Sequence, residues 1–219
     1  MASSICLKRA VNGVCFHSVF LHGKQFIIIS VFGGTGGIID QIHEHLRDKI
    51  RINAGKEKSP SLGLIDSQSV KTTRSGGICR GIDGGKKTKG RKRHIIVDTL
   101  GLLMAVVVHA ANQHDSKSAP KVFALLKERF SRLVKIIADG GYRGKLIENT
   151  KITFNLILEV ILRKDDSPKF QVIPKRWVVE RTFAWLESHR RLSKDFEFLT
   201  DTSETMIRLA MIKLMLNRI

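Results

Sequence analysis

Two short apolar runs set the architecture open to this chain. LGLIDS (62–67) and LVKIIADGG (133–141) each end on an aspartate followed by turn-forming residues. Between them, HIIVDTLGLLMAVVVHA (94–110) places two β-rich runs about a Leu-Gly turn, which reads as a hairpin. Asp115 can cap the helix SKSAPKVFALLKERF, with Pro120 near its first turn. Beyond Asp139 the pattern predicts a helix over 142–151, a strand near 156–162 and a turn at RKDDSPK. The helix RWVVERTFAWLE follows, then a last helix over 204–217 entered from Asp201, with Glu204 three residues on. Met206, Met211 and Met215 of that helix read as core filler. The order strand, hairpin, helix, strand, helix, strand, helix predicts an α/β layer fold, a mixed sheet covered by helices.

Upstream, Ile42, Leu46 and Ile50 recur at helical spacing within residues 40–53, as an amphipathic helix requires. AGKEKSPS (54–61) is a polar linker, and residues 1–37 show no clear period and no capping signal. The expected division is therefore an atypical N-terminal segment over 1–37, a helix and linker over 38–61, and the α/β domain over 62–219. FGGTGGIID imitates a dinucleotide-binding loop, but its third glycine position is Ile39, so that reading fails.

Charge narrows the function. The chain carries 38 Lys and Arg against 20 Asp and Glu, a net charge of +18. A field of that sign selects polyanions, and nucleic acid is the expected partner. The densest stretch, GGKKTKGRKR, holds Lys86, Lys87, Lys89, Arg91, Lys92 and Arg93 beside glycines and reads as a phosphate-contacting loop. Arg143 reads as a phosphate ligand, whereas Tyr142, the single tyrosine, serves equally as a stacking platform or a helix-start packing residue. Three cysteines without CxxC spacing suggest neither a disulfide framework nor a zinc site and fit a reducing cytoplasm. The longest apolar run, residues 26–39, holds four glycines and is too short to span a bilayer.

The chemistry rests on acids. In open α/β sheets ligands bind where loops diverge at strand ends, and Asp66 and Asp139 both occupy such ends. Two carboxylates meeting there can share a divalent ion of the Mg²⁺ kind. Glu180 stands among Val178, Val179, Phe183, Ala184, Trp185 and Leu186, company in which a carboxylate needs a cation. That cation is either a metal or a neighbouring arginine, Arg176 or Arg181. For His114 and Asp115 the alternatives are a general base or an extra metal ligand, but a helix cap explains Asp115 and both stay outside the catalytic set; Asp98, two residues before the hairpin turn, reads as structural.

The segments IDSQSVKTT, GGKKTKGRKRHIIVDTLGLLMAVVVHAANQHDS, ADGGYRG and RWVVERTFAWLESHRRLSKDFE, in that order, resemble the DDE transposases of bacterial insertion sequences, in the IS5 group of the IS4-like superfamily. The resemblance runs from about residue 38 to the C-terminus. It implies an RNase H-like catalytic fold with Asp66, Asp139 and Glu180 as the catalytic, metal-holding triad. Arg176 matches the arginine of the superfamily's Tyr-Arg-Glu-Lys signature and implies a phosphate contact. Ile173 and Glu187 stand where that signature has tyrosine and lysine, while Arg190, Arg191 and Lys194 keep the region basic. The implied cofactors are two Mg²⁺ or Mn²⁺ ions. The implied partners are double-stranded DNA, as the element's terminal inverted repeats and its target, and a second copy of the chain bound on that DNA. No membrane is implied, and the location is the bacterial cytoplasm at the nucleoid.

Residues 1–37 stand outside the resemblance. Relatives carry a helical region there that recognises the terminal repeats, so an abrupt edge at Ile38 is what a frameshift would leave. A non-catalytic DNA-binding remnant that inhibits an intact copy is the competing reading.

Overall fold

The computed structural model describes residues 6–11, 14–21, 24–31, 37–74, 77–126, 129–162 and 175–219. The chain divides into two units, Met1–Glu44 and His45–Ile219. In the first, β1 (Cys6–Val11), β2 (Val14–Leu21) and β3 (Lys24–Val31) form an antiparallel meander. Its register runs from Val11↔Val14 to Cys6↔Val19 and from Leu21↔Lys24 to Val14↔Val31. Residues 1–37 carry no clear hydrophobic period, so these strands depart from the expected atypical segment. The overlooked signal is the Asn12-Gly13 pair between two β-rich runs, a strong short-range hairpin signature.

Helix α1 (Ile38–Asn53) ends in the second unit, where Leu46 and Ile50 are buried as their spacing required, whereas Ile42 at the same spacing is exposed. The polar stretch after it leads to a six-stranded mixed sheet. Its strands are β4 (Leu62–Lys71), β5 (Gly81–Asp83), β6 (Thr88–Val97), β7 (Leu103–Ala110), β8 (Lys135–Ala138) and β9 (Ile157–Val160). Across the sheet the order is β9, β8, β4, β6, with β5 and β7 sharing the far edge of β6. Strands β4, β6 and β7 pair antiparallel, whereas β4, β8 and β9 pair parallel. With α2 (Asp115–Ala124), α3 (Leu146–Phe154), α4 (Arg176–Glu187) and α5 (Thr200–Leu216) covering it, this is the mixed sheet flanked by helices that the element order anticipated. The predicted turn at RKDDSPK, and Ile173, lie outside the described residues.

Strand alternation separates two cores. Leu64, Ile95, Val97 and Ile137 pack on one face with Val178, Val179, Phe183, Ile207, Met211 and Met215 from α4 and α5. Ile65, Ile96 and Ile136 pack on the other with Ala119, Val122 and Phe123 of α2 and Leu146 of α3. The methionine filler therefore lies where expected, but the cap of α5 does not. Leu199 is its N-cap and Asp201 sits inside the first turn, while Glu204 accepts the Val108 amide at 2.9 Å. That helix is tied to a strand instead of closing its own end. Asp98 is structural, as read: it accepts the amides of Leu100 and Leu102, both at 2.9 Å, and pairs with the Arg51 guanidinium.

The hairpin turn beside Asp98 depends on Gly101, at φ +82°, a conformation that costs other residues about 1 kcal/mol. A Cβ there would also stand 2.9 Å from Thr182 Oγ1 and 3.0 Å from the Trp185 ring on α4. Gly101→Ala is expected to destabilise the fold by about 1–3 kcal/mol, read as a lower urea midpoint with unchanged slope. An unchanged midpoint would show that the turn relaxes freely.

Candidate active site

Register brings the two aspartates together. Leu64 and Ile137 are direct partners across the parallel β4/β8 pair. Asp66 and Asp139 each lie two residues further on, so both carboxylates share the face of Leu64 and Ile137, which is the face α4 covers. Asp139 stays extended, at φ −86° and ψ −177°, as the N-cap of a 3-10 turn, and its side chain accepts the Gly141 amide at 2.9 Å. Asp66 Oδ1 accepts the Ser67 amide at 2.7 Å. Glu180 sits one turn into α4, on its exposed side.

Arg176, at the first position of α4, links the acids. Its Nη2 lies 3.3 Å from Asp139 Oδ2 and its Nε lies 3.0 Å from Glu180 Oε1. The second contact is close but not aligned as a hydrogen bond. Glu180's requirement for a cation is thus met by arginine in this structure. Of the two arginines considered, Arg181 is engaged elsewhere, stacked 4.5 Å from the rings of both Trp177 and Trp185. Burial pushes the Asp66 carboxyl up to about 6, and Asp139 adds to this, against the Ser67 amide and the positive charges of Arg176 and Lys86. A cation placed between Asp66 and Asp139 would relieve that cost.

Among the described residues no three His, Cys, Asp or Glu side chains stand close enough to hold a metal as they are. The donor set nevertheless suits a hard divalent cation, being carboxylate oxygens of two neighbouring aspartates, Asp66 among them held up by burial, with a guanidinium as the present counter-charge.

The basic stretch is not a single loop. Strands β4 and β6 pair as far as Lys71↔Gly90, so residues 88–93 are strand. Three of the six cations are consequently interior, which corrects the loop reading. Arg91 is fully buried and donates to the carbonyls of Ile78, Glu197 and Phe198. Arg93 donates to the Leu192 carbonyl at 2.7 Å. Lys92 pairs with Asp115 at 2.9 Å. Each points to a partner distant in sequence, which local composition cannot reveal. Lys86 and Lys87 remain exposed on the connection between β5 and β6 and Lys89 on β6 itself, and Lys86 Nζ also reaches the Ser67 carbonyl at 3.1 Å.

Arg143 is exposed beside the second aspartate's turn, its Nε on the Gly140 carbonyl at 2.8 Å. Arg190 and Arg191 are exposed in a 3-10 turn after α4, and Arg191 pairs with Glu197. Glu187, where the signature has lysine, accepts from Gln68 Nε2 at 2.7 Å and ties α4 to β4. Tyr142 is fully buried with its hydroxyl 2.7 Å from His94 Nε2, so it packs and does not stack on a base. His94 lies 48 positions from Tyr142 along the chain, so no local pattern in the sequence pairs them. His114, not Asp115, is the α2 N-cap, accepting the Ser116 amide.

The chain thus brings together one acid inside β4, a second just past the end of the adjacent β8 and a third on the covering helix. The chain belongs to the family of the transposase DDE domain, whose model matches residues 57–215. It is 29% identical over 128 residues to a protein of Burkholderia cepacia named for the transposase of insertion sequence element IS402, covering 55% of this chain and 60% of that one. It thus spans about 60% of the length of that curated relative. The catalytic domain of the Mos1 mariner transposase is structurally similar at a TM-score of 0.39 and 9% identity, over 85% of this chain and 92% of that one. The Mos1 transposase in its paired-end complex with the left transposon end gives 0.31 at 13% identity, over 90% and 67%. Among the described residues no helix is long and apolar enough to cross a membrane.

Proposed function

We propose that this chain is an insertion-sequence transposase of the IS5 group that cleaves and joins DNA, with Asp66, Asp139 and Glu180 as its acids. The observation that carries the reading is the meeting of Asp139 and Glu180 on one guanidinium, with Asp66 on the neighbouring strand near enough to feel the charges of Asp139 and Arg176. The three carboxylates would hold two divalent cations, Mg²⁺ or Mn²⁺, which supply Lewis acidity and lower the pKa of bound water. A water attacks the phosphorus at the element's end in line, the P–O3′ bond breaks, and the departing 3′-oxygen takes up a proton. The freed 3′-hydroxyl then attacks a target phosphodiester in the same geometry and displaces its 3′-oxygen. Arg176 moves from the acids to a phosphate, and Lys86, Lys87, Lys89, Arg143, Arg190 and Arg191 hold the duplex. Two element ends must be joined together, which calls for two copies of the chain on DNA. The boundary near residue 38 belongs to the same reading.

The test is nicking of a supercoiled plasmid carrying the element's ends. Nicks are expected with Mg²⁺ or Mn²⁺ and not with EDTA. Metal-independent nicking would overturn the mechanism. DNA binding without nicking in either metal would favour the non-catalytic remnant.

A further inference from the structure

Asp66 and Ser67 are consecutive strand residues, so the acid faces α4 while the serine points through the sheet toward α2. There the Ser67 hydroxyl donates to Asp115 Oδ1 at 2.8 Å, and Lys92 Nζ donates to the same oxygen at 2.9 Å. Asp115 is therefore not spent on capping α2, and its first oxygen is committed to β4 and β6. Its second oxygen faces the other acid's turn: a methyl group added at Gly141 would lie 3.7 Å from Asp115 Oδ2 and 3.1 Å from Asp139 Oδ1. Lys92 is buried and also donates to the Gln113 carbonyl at 3.0 Å, which fixes the entrance to α2. Burial pushes the Asp115 carboxyl up, but the hydrogen bonds from Lys92 and Ser67 outweigh it and hold the group ionised.

We propose that Lys92 and Asp115 are positioning residues for DNA cleavage, a strut behind the sheet that fixes Asp66 through Ser67 and braces the turn carrying Asp139. The inference rests on the transposase reading above. Neither residue reaches the α4 face, so neither touches substrate; both act through the backbone that aims the acids. Groups that orient ligands in this indirect way typically change metal affinity or activity by about 10–100-fold when removed. A strut that only stabilised the fold would instead lower the melting temperature and leave the site's properties alone.

The test compares the full-length wild type with Asp115→Asn, Asp115→Glu, Ser67→Ala and Asp66→Ala, at a temperature where melting curves show each folded. Two quantities are read: Mn²⁺ affinity without DNA, and the single-turnover cleavage rate at saturating duplex. Asp115→Asn is expected to weaken Mn²⁺ binding and slow cleavage by about 10-fold or more, with duplex affinity within twofold of wild type. Asp115→Glu, which keeps the charge opposite Lys92, is expected to recover part of both. Ser67→Ala, a small change, supplies the same readings if Asp115→Asn does not fold. If Asp66→Ala abolishes Mn²⁺ binding while Asp115→Asn and Ser67→Ala match wild type, the strut is overturned and the transposase reading stands. If wild type neither cleaves nor binds Mn²⁺ through Asp66, the transposase reading fails and takes the strut with it.

Discussion

Asp66→Asn is expected to lower the metal-dependent nicking rate by about 10³-fold or more, equivalent to roughly 4 kcal/mol in the barrier. Asn keeps the shape and an acceptor for the Ser67 amide but removes the charge that a divalent cation needs. Asp139→Asn and Glu180→Gln should follow the same direction, with Glu180→Gln gentlest because its carboxylate lies on the exposed side of α4. The pH dependence gives an independent reading. Asp66 sits at about 6, above its usual 3.8, chiefly through burial and then through Asp139. Bound metal must displace that proton, so the Mn²⁺ concentration for half-saturation should rise about tenfold per pH unit below 6 and level off above it. In the metal-free protein the sign is opposite to that of a salt-bridged aspartate. The folded state holds the extra proton between the two values, so stability falls, by on the order of 2 kcal/mol, as pH rises from about 4 to 6. Nicking by Asp66→Asn within tenfold of wild type would remove Asp66 from the triad.

What the sequence disclosed and what it concealed divide along chain distance. Asp66 was legible as an acid on an apolar strand but not its place there: β4 does not end at Asp66 but runs on to Lys71, because β6 pairs with the polar residues after it and holds them extended. That the two aspartates share a face follows from period-2 alternation once Leu64 is known to pair with Ile137. The pairing itself is long-range, so alternation alone left the meeting of the acids an expectation. Arg176's reach to Asp139 is invisible for the same reason, since 37 positions separate them along the chain. The basic stretch misled because counting cations ignores direction. In an extended strand Arg91 and Arg93 turn toward the α5 side and Lys92 toward α2, each meeting a partner that only the tertiary fold supplies. Asp115 was read as a cap because that is the commonest duty of an aspartate before a helix. Its neighbour His114 does the capping, and Asp115 is left to hold Ser67 and Lys92.

Arg91 gives the largest stability effect. Its guanidinium has no exposure and donates to Ile78 O at 2.6 Å, Phe198 O at 2.7 Å, Glu197 O at 2.9 Å and Ser203 Oγ at 3.0 Å. It also pairs with Asp195 Oδ1 at 3.2 Å, a carboxylate that is itself buried and accepts from Ser203. Arg91→Met keeps most of the volume but strands a buried carboxylate and several carbonyls, each of which costs free energy without a donor. Breaking a buried pair from one side typically costs about 3–5 kcal/mol, a large share of the roughly 5–15 kcal/mol that keeps a domain folded. Guanidinium denaturation should therefore show a much lower midpoint for Arg91→Met. Arg91→Lys should fall between, because it restores the charge without the planar fork that reaches several acceptors at once. The contrast lies a few residues upstream. Lys87 and Lys89 are exposed on the arm before Arg91, so Lys87→Met and Lys89→Met should alter stability by no more than about 0.5 kcal/mol. Each should instead reduce the salt dependence of DNA binding by about one unit of slope. Equal stability for Arg91→Met and Lys87→Met would mean that the buried network does not hold the 195–203 segment onto the sheet. A salt slope unmoved by either lysine would mean that this arm lies away from the duplex, leaving Arg143, Arg176 and Arg190 to carry the phosphate contacts.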